Sequence, residues 1–280
     1  MAFNNQTWVT EFILQGFSKN PHLEIFFCYL FLFFYALALV GNSLIIASVW
    51  VTSGLHISMY FFLINLALLD ITCTTTVVPK LLENLVEEKK AISFVGCMTQ
   101  VYVFSWAVGS ELLLFTAMAY DRYVAICRPL HYSTLMNNKI CGVLVTGLWT
   151  VGGLDSGMHT AMLAQLSFCG PNVIDHFFCE IPPILIVSCF STKVNELMTL
   201  VADYLLVGTN FFLTIMSYGF IIANILKIWS EEGKKRAFST FFSHLMVVTM
   251  FYFAVFCAYI SPSASYSPEK GRPWLPCILV

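Results

Sequence analysis

The sequence predicts an all-α membrane protein, a bundle of six helices that cross a bilayer. Hydrophobic residues make up 58% of the 280 residues and charged residues only 11%. A soluble domain averages about 25% charged residues, so this chain has too few charges to cover an aqueous surface. The net charge of −2 argues against a nucleic-acid partner, which would require a clustered basic face. The lipid bilayer is the expected surrounding.

Six stretches have the roughly 20 mostly apolar residues that a helix needs to cross a bilayer. They are residues 25–51, 59–78, 94–118, 140–166, 197–228 and 238–261. Residues 1–24 are the expected extracellular N-terminus, 25–261 the membrane bundle, and 262–280 an outer-loop remnant with an aberrant C-terminus. Residues 1–20 contain no short apolar region followed by a cleavage site, so the first span is expected to act as its own signal.

The orientation follows from glycosylation and cysteines rather than from charge. Lysine and arginine divide seven to seven between the two sides, so the positive-inside rule gives no answer. Asn5 begins the glycosylation pattern Asn-Gln-Thr, and Cys97, Cys169, Cys179 and Cys189 fall on the same side as Asn5 by the number of crossings. Glycans and disulfides form on the lumenal or extracellular face. The N-terminus is therefore predicted outside.

A ten-residue block closes the third span and is matched by shorter blocks elsewhere. Residues 118–127 read Met-Ala-Tyr-Asp-Arg-Tyr-Val-Ala-Ile-Cys. The supporting blocks are Gly41-Asn42, residues 55–63, Pro-Leu-His-Tyr at 129–132, residues 175–180, Ser217-Tyr218, residues 235–240 and Ser-His-Leu at 243–245. In these blocks the chain resembles the odorant (olfactory) receptor family of rhodopsin-like, G-protein-coupled receptors, from about residue 10 to about residue 271.

The resemblance implies a rhodopsin-like helix bundle in which six of the usual seven membrane helices are present. It also implies a receptor at the plasma membrane that binds a small hydrophobic odorant. The expected partner is a heterotrimeric G protein of the cyclic-AMP-raising olfactory type. The alternative function is a non-signalling truncated product of a damaged receptor gene, retained in the endoplasmic reticulum.

Three departures from the family pattern stand out. Ser58 occupies a position where the family usually has proline, and Phe241 and Phe242 replace smaller residues. Beyond Gly271 the residues match no part of the family's seventh span. An abrupt loss of the match is what a shifted reading frame produces, and alternative splicing or an unusual natural terminus are the alternatives.

The resemblance places the G-protein surface at the inner ends of the spans. In the family the arginine of Asp121-Arg122 is held by its acidic neighbour at rest and released to the G protein on activation; the simpler alternative is an arginine that only extends to the membrane boundary. The predicted coupling residues are Asp121, Arg122, Tyr123, Tyr218, Lys235 and Arg236.

Two acidic residues are expected at one depth in the membrane. Asp70 lies twelve residues after Ser58, about 18 Å from the inner face, and Glu111 lies eleven residues before Arg122, about 17 Å from it. Buried carboxylates at one depth either share a proton or bind a cation. The resemblance favours a sodium ion, and the alternative is a structural bond between the two acids. No other cofactor is expected.

The resemblance puts the odorant pocket in the outer half of the bundle. The candidate residues are Phe104, Ser105, Val108 and Gly109 of the third span, Ala202, Asp203 and Leu206 of the fifth, and Tyr252, Val255, Phe256 and Tyr259 of the sixth. An apolar, aromatic cleft of this kind suits small hydrophobic molecules. For each aromatic residue taken alone, helix packing or lipid contact explains its presence equally well. Asp203 either selects an amine-bearing ligand or is solvated, and Asp155 is assigned no role.

The outer cysteines are paired by the resemblance, because four cysteines alone allow three connectivities. It implies bridges Cys97–Cys179 and Cys169–Cys189. His176, Cys179 and Glu180 are the alternative, a metal site, which a disulfide at Cys179 would exclude. No catalytic constellation is present and His244 alone does not make one, so no enzyme is expected. A six-span channel would need polar pore-lining stripes, and the charges within the spans are too few for it.

Overall fold

The computed structural model describes residues 9–15, 20–52, 54, 57–168, 171–227 and 230–259. Within these ranges, the side chains of residues 21, 203, 233, 236–237, 239–240, 243–244 and 254–259 are not described. The predicted glycosylation site Asn5 and the predicted C-terminal region 262–280 lie outside the described residues.

Long helices dominate the fold. They are α1 (Pro21–Val51), α2 (Ser58–Val86), α3 (Phe94–Cys127), α5 (Asn138–Ala164), and α9 (Glu231–Tyr259), together with a fifth helical segment composed of α7 (Lys193–Asp203), a π-helical stretch (Tyr204–Gly208) and α8 (Thr209–Ile225). The short helices are α4 (Tyr132–Leu135), which follows a 3₁₀ turn at Pro129–His131, and α6 (Ile181–Ile186). Three short strands complete the order: β1 (Glu11–Leu14), β2 (Ala91–Ser93) and β3 (Val173–Ile174).

Five helical segments of the described residues are long and apolar enough to cross a membrane: His22–Val51, Ser58–Val86, Phe94–Cys127, Asn138–Ala164 and Lys193–Ile225. Each of them overlaps one of the first five predicted spans. The sixth prediction, residues 238–261, falls on α9, and many of its side chains lie outside the described residues. The chain is therefore an all-α protein that crosses the membrane several times.

α2 and α3 continue well past the predicted C-terminal ends of their spans. α2 ends at Val86 rather than 78 and continues through Pro79, while α3 ends at Cys127 rather than 118. The predictions ended where the apolar character fell, but a helix satisfies its own backbone hydrogen bonds and can continue past the hydrocarbon region. The extension of α3 brings Asp121 and Arg122 into the helix itself.

α3 is the central helix and contacts α2, α5 and α8. Its approach to α5 is close because small residues meet there, as is common between membrane helices. A Cβ added to Gly152 of α5 would lie 2.6 Å from Ser110 Oγ of α3. Two side-chain bonds to carbonyl oxygens also join the helices: Trp106 Nε1 donates to Trp149 O at 2.9 Å and Ser156 Oγ donates to Tyr102 O at 2.7 Å.

A three-stranded sheet covers the outer end of α3, a feature that the sequence did not predict. β1 is its central strand, antiparallel to β2 and parallel to β3. The inward side chains of β1 are buried, with Phe12 0% and Leu14 2% exposed. Phe12 packs edge-on against Phe168 at a ring distance of 5.2 Å. The N-terminal segment is thus packed into the fold at the N-terminal end of α3.

Candidate functional sites

The inner end of α3 holds a buried ionic and hydrogen-bonded cluster around Asp121. Asp121 is 0% and Arg122 8% exposed, and the two form an ion pair. Asp121 Oδ1 accepts a hydrogen bond from Ser58 Oγ at 2.8 Å and one from Tyr132 Oη at 2.9 Å. Ser58 begins α2 and Tyr132 begins α4, so the cluster joins three helices. The departure from the family pattern at Ser58 therefore adds a donor to this acid.

Two hydroxyl protons serve three oxygen contacts in this cluster, because Ser58 Oγ and Tyr132 Oη also lie 2.5 Å from each other. At any moment, therefore, only two of these three contacts are hydrogen bonds. Burial is the largest cause of the raised pKa of Tyr132, so the phenol stays protonated and remains a donor at neutral pH. Asp121 can lose either donor and keep the other.

The other predicted coupling residues lie around the same end of the bundle or beyond the described side chains. Tyr123 is half-buried and its ring lies 6.1 Å from that of Phe220 in α8. Tyr218 is 7% exposed and packs edge-on against Phe241 of α9 at 5.2 Å. Phe241, the second departure from the family pattern, fills a buried position against α8. Lys235 is exposed, and the side chain of Arg236 is not described.

The two membrane carboxylates, Asp70 and Glu111, are in contact. Their side chains share a hydrogen bond, and the Asn42 side chain also bonds to Asp70. Glu111 is 5% exposed, and its Oε1 atom has no hydrogen-bond partner among the described residues. Two carboxyl groups in contact require either a proton between them or a cation. The described residues contain no group of three or more His, Cys, Asp or Glu side chains placed to hold a metal.

A cavity of about 550 Å³ lies between α3, α5 and the fifth helical segment. Its lining includes Leu113, Thr116, Asp155, Met158, Ala202 and Leu206. Most of the lining is apolar, which suits an apolar ligand with few polar groups. Leu206 belongs to the π-helical stretch, a kind of irregularity that is frequent at functional sites.

Some of the predicted pocket residues meet at this cavity. Ala202 and Leu206 line it, and a Cβ added to Gly109 would lie 3.8 Å from Leu206 Cδ2, so Gly109 borders it. Phe104 instead packs edge-on against Phe178 of the outer loop at 5.1 Å.

The remaining pocket predictions are distributed differently. Ser105 and Val108 are half-buried, and neither lines the cavity. Tyr252 lies edge-on against Phe211 of α8 at a ring distance of 5.2 Å. The side chains of Asp203, Val255, Phe256 and Tyr259 are not described.

The outer loop is attached to α3 by a disulfide and by a glutamine. The structure joins Cys97 to Cys179, whose Cα atoms are 5.4 Å apart. Gln100 Oε1 accepts a hydrogen bond from Cys179 N at 2.8 Å, and its Nε2 donates to Thr76 O of α2 at 2.9 Å. A half-cystine has no thiolate for a metal, so the alternative metal site at Cys179 is excluded. Cys189 is also disulfide-bonded, and Cys169 lies outside the described residues.

Sequence reasoning missed the contribution of α5 to the cavity. Asp155 lines it, and His159 Nε2 lies 3.8 Å from Asp155 Oδ1. The signal was present, because an ionisable residue inside an apolar span marks a functional site by default. Asn210 was missed as well: it is 5% exposed and accepts a hydrogen bond from Thr116 Oγ1 at 2.6 Å.

Comparisons with known proteins give one consistent result. The sequence profile of the family described as olfactory receptor matches residues 30–263. The chain is 53% identical over 269 residues to olfactory receptor 13A1 of Homo sapiens, covering 96% of this chain and 82% of the relative. It is 49% identical over 268 residues to olfactory receptor 13G1 of Homo sapiens, covering 96% and 87%. It is 41% identical over 272 residues to olfactory receptor 5AR1 of Mus musculus, covering 97% and 88%.

Proposed function

We propose that this chain, which belongs to the olfactory receptor family, binds small hydrophobic volatile molecules in the outer half of its bundle and activates a G protein of the cyclic-AMP-raising type. Membership of the family means an odorant receptor of the G-protein-coupled type, inserted in a membrane, and not an enzyme. The ligand class, the G-protein type and the residues that act are the proposal.

The observation that supports the proposal most strongly is the position of α3. Gly109 of α3 borders the 550 Å³ cavity, and Arg122 lies thirteen residues further along the same helix, about 20 Å away. A ligand that moves α3 against α5 or the fifth helical segment therefore acts directly on the helix that holds the Asp121–Arg122 pair. The two proposed sites therefore lie on one helix, the cavity at its middle and the Asp121–Arg122 pair near its C-terminal end.

Activation in this proposal is a shift between two arrangements of Arg122. At rest Asp121 holds the guanidinium, and Asp121 is itself held by the Ser58 and Tyr132 hydroxyls. A ligand favours the released arrangement only to the extent that it binds that arrangement more tightly. The released Arg122 would then contact the G protein. The other coupling residues predicted from the family resemblance would contribute to the same surface: Tyr123, Tyr218, Lys235 and Arg236.

A sodium ion bound by Asp70 and Glu111 belongs to the same proposal. The available oxygens fit a hard cation, since two carboxyl groups are in contact, Asn42 is adjacent, and Glu111 Oε1 lacks a partner among the described residues. Bound there, the ion would supply positive charge between the two acids. The chain's own contribution is to hold both acids beside α3 at mid-membrane depth.

We place the N-terminus outside the cell and the receptor in the plasma membrane. The disulfide between Cys97 and Cys179 supports this orientation, because the bond needs an oxidising compartment. Asn5 should then carry a glycan, and Asn5→Gln should remove the species that an endoglycosidase digests. An Asn5→Gln chain that migrates like the wild type before digestion would contradict the placement.

The test of function is a cell assay in which surface delivery and cyclic AMP are measured on the same cells, with a panel of small hydrophobic odorants. Gly109→Leu should fill the cavity and abolish the response to any active odorant. The matched control is Gly147→Leu, since a Cβ at Gly147 meets nothing within 4 Å. Arg122→Ala should abolish the response while leaving odorant binding in place.

The expected result is a dose-dependent response that Gly147→Leu retains and the other two variants lose at equal surface levels. A response of undiminished size in Gly109→Leu would contradict the cavity as the odorant site. A wild-type chain that reaches the surface but gives no cyclic-AMP signal with a cyclic-AMP-coupled G protein would contradict the proposed coupling. A chain that stays inside the cell would contradict the plasma-membrane placement.

A further inference from the structure

We infer that the cavity between α3, α5 and the fifth helical segment selects ligands that have a protonated amine on an apolar body, with the carboxylate of Asp155 as the counter-ion. This inference rests on the proposed function, because it names the ligand class of the same cavity. It assigns a role to Asp155, the acid of α5 that lines the cavity.

The other strongly polar groups of the cavity bond to each other. Thr116 Oγ1 donates to Asn210 Oδ1 at 2.6 Å, and Asn210 Nδ2 donates to the Leu206 carbonyl. Both functional groups of the Asn210 amide are therefore used within the protein. Asp155 is different: its side chain is 34% exposed, and its Oδ1 atom lies 3.8 Å from His159 Nε2. That distance is too long for a hydrogen bond.

The depth of Asp155 makes the length of this contact important. Asp155 lies seventeen residues after Asn138 and nine before Ala164, about 25 Å from the inner and about 14 Å from the outer end of α5. A carboxylate at that depth is costly unless it is paired. An ammonium group supplies the opposite charge and up to three N–H donors, and hydrogen bonds between charged groups are the strongest available. The rest of the lining, with Leu113, Met158 and Leu206, would contact an apolar body.

Part of the cavity wall is exposed on the surface of the fifth helical segment. Val201 and Leu205, which line it, are 42% and 65% exposed, and side chains of that kind on a membrane-spanning segment face lipid. The described outer end is covered by a buried cluster that includes Phe12, Val101 and Ile174. A ligand with an apolar body partitions into the bilayer, and these exposed lining residues would let it approach the cavity from the membrane.

The probe pair for a test is octylamine and 1-octanol, which have the same chain and differ in the charged head. Binding of each, in radiolabelled form, is measured to the purified full-length chain in phosphatidylcholine nanodiscs, with empty nanodiscs as the blank. Asp155→Asn removes the charge and keeps the shape, and Asp155→Glu keeps the charge. The control for a surface charge is Glu87→Gln, because Glu87 is exposed at the end of α2.

The expected result is that octylamine binds the wild type more tightly than 1-octanol and loses about 10- to 100-fold in affinity in Asp155→Asn, the value of a hydrogen bond to a charged group. Octanol binding should stay unchanged in that variant, and Asp155→Glu and Glu87→Gln should retain octylamine. Ala202→Trp should remove both ligands by filling the cavity. Phosphatidylethanolamine added to the nanodiscs should compete with octylamine if its amine reaches the same carboxylate, which would support the inference with a lipid as the source.

Equal octylamine affinity in the wild type and Asp155→Asn would overturn the inference. If Asp155→Asn does not fold, unchanged octylamine binding in Ala202→Trp would overturn it instead. The assay contains no G protein, so its failure is separate from that of the proposed function. If Asp155→Asn still binds octanol and still signals with odorants, and the wild type shows no preference for octylamine, only the amine inference is contradicted. If the wild type binds octylamine but gives no cyclic-AMP signal in cells, only the proposed function is contradicted.

Discussion

Replacing Ser58 should weaken the resting arrangement of the inner face, because Ser58 is one of two hydroxyl donors to Asp121. Both alanine and proline should be accommodated at this position. Ile57 has φ −115° and ψ 158°, the extended conformation that a residue before proline requires. Ser58 is the first residue of α2, where the missing N–H of proline costs the helix nothing. The two variants therefore remove the hydroxyl and keep the backbone.

The size of the effect follows from the hydrogen bonds that remain. A hydrogen bond to a charged group contributes about 1.5–3 kcal/mol. Ser58→Ala leaves Asp121 with the Tyr132 hydroxyl and Arg122, so its cost should lie near the lower limit, a factor of about ten in an equilibrium constant. The double variant Ser58→Ala/Tyr132→Phe leaves Asp121 Oδ1 without a hydroxyl donor, although Asp121 is 0% exposed. The double variant should therefore lose more than the sum of the single losses.

Two measurements test this prediction: the melting temperature of the purified chain, and cyclic AMP in cells without odorant. Ser58→Ala and Ser58→Pro should both lower the melting temperature and raise the cyclic-AMP level without odorant. The two variants should have effects of the same size, since both act through the lost hydroxyl. The matched control is Ser133→Ala, because Ser133 is an exposed serine next to Tyr132. If Ser58→Ala behaved like Ser133→Ala, or if the double variant were strictly additive, the proposed sharing of Asp121 between two donors would be refuted.

Three further predictions concern stability and are measured on the purified chain. Cys97→Ser and Cys179→Ser should each cost about 2–5 kcal/mol, with the double variant no worse than either because they share one bond; clearly additive melting-temperature losses would refute this. Gly152→Val should lower the melting temperature, since an added Cβ meets a serine oxygen of α3 at 2.6 Å, and a value equal to that of Gly147→Val would refute the close helix contact. Phe12→Ala should cost about 3–5 kcal/mol and speed hydrogen exchange in β2, and unchanged exchange would show that β1 is dispensable.

The membrane helices were predictable because spanning is a property of local composition. Runs of apolar residues of the required length are visible in the sequence without knowledge of any contact. The prediction gave the start of α3 at Phe94 and the end of α1 at Val51, both as observed. It failed at the ends of α2 and α3, because hydropathy reports the position of the hydrocarbon region and not where backbone hydrogen bonding stops.

The outer sheet and the cavity were not predictable in the same way, because they depend on residues that are far apart in the chain. Ile13 pairs with Ala91 in β2 and with Val173 in β3, and strands of two to four residues have no periodicity that the sequence reveals. The cavity joins Leu113, Asp155 and Leu206 from three helical segments. Family resemblance suggested Ala202 and Leu206, and the sign of α5 in the sequence was the acid Asp155 inside an apolar span, which the family pattern did not connect to them.

Ser58 shows why a departure from a family pattern should be examined through its contacts. Proline and serine are both ordinary at the start of a helix, so the change from proline to serine has no evident consequence in the sequence alone. The structure places the serine hydroxyl on Asp121, 63 residues away along the chain. Asp155 is a parallel case, an acid with no role in the pattern that lines the cavity. Ser58 adds a hydroxyl donor to the buried Asp121 cluster, and Asp155 adds a carboxylate to the lining of the cavity, so substitutions at these two positions are direct tests of the two proposed sites.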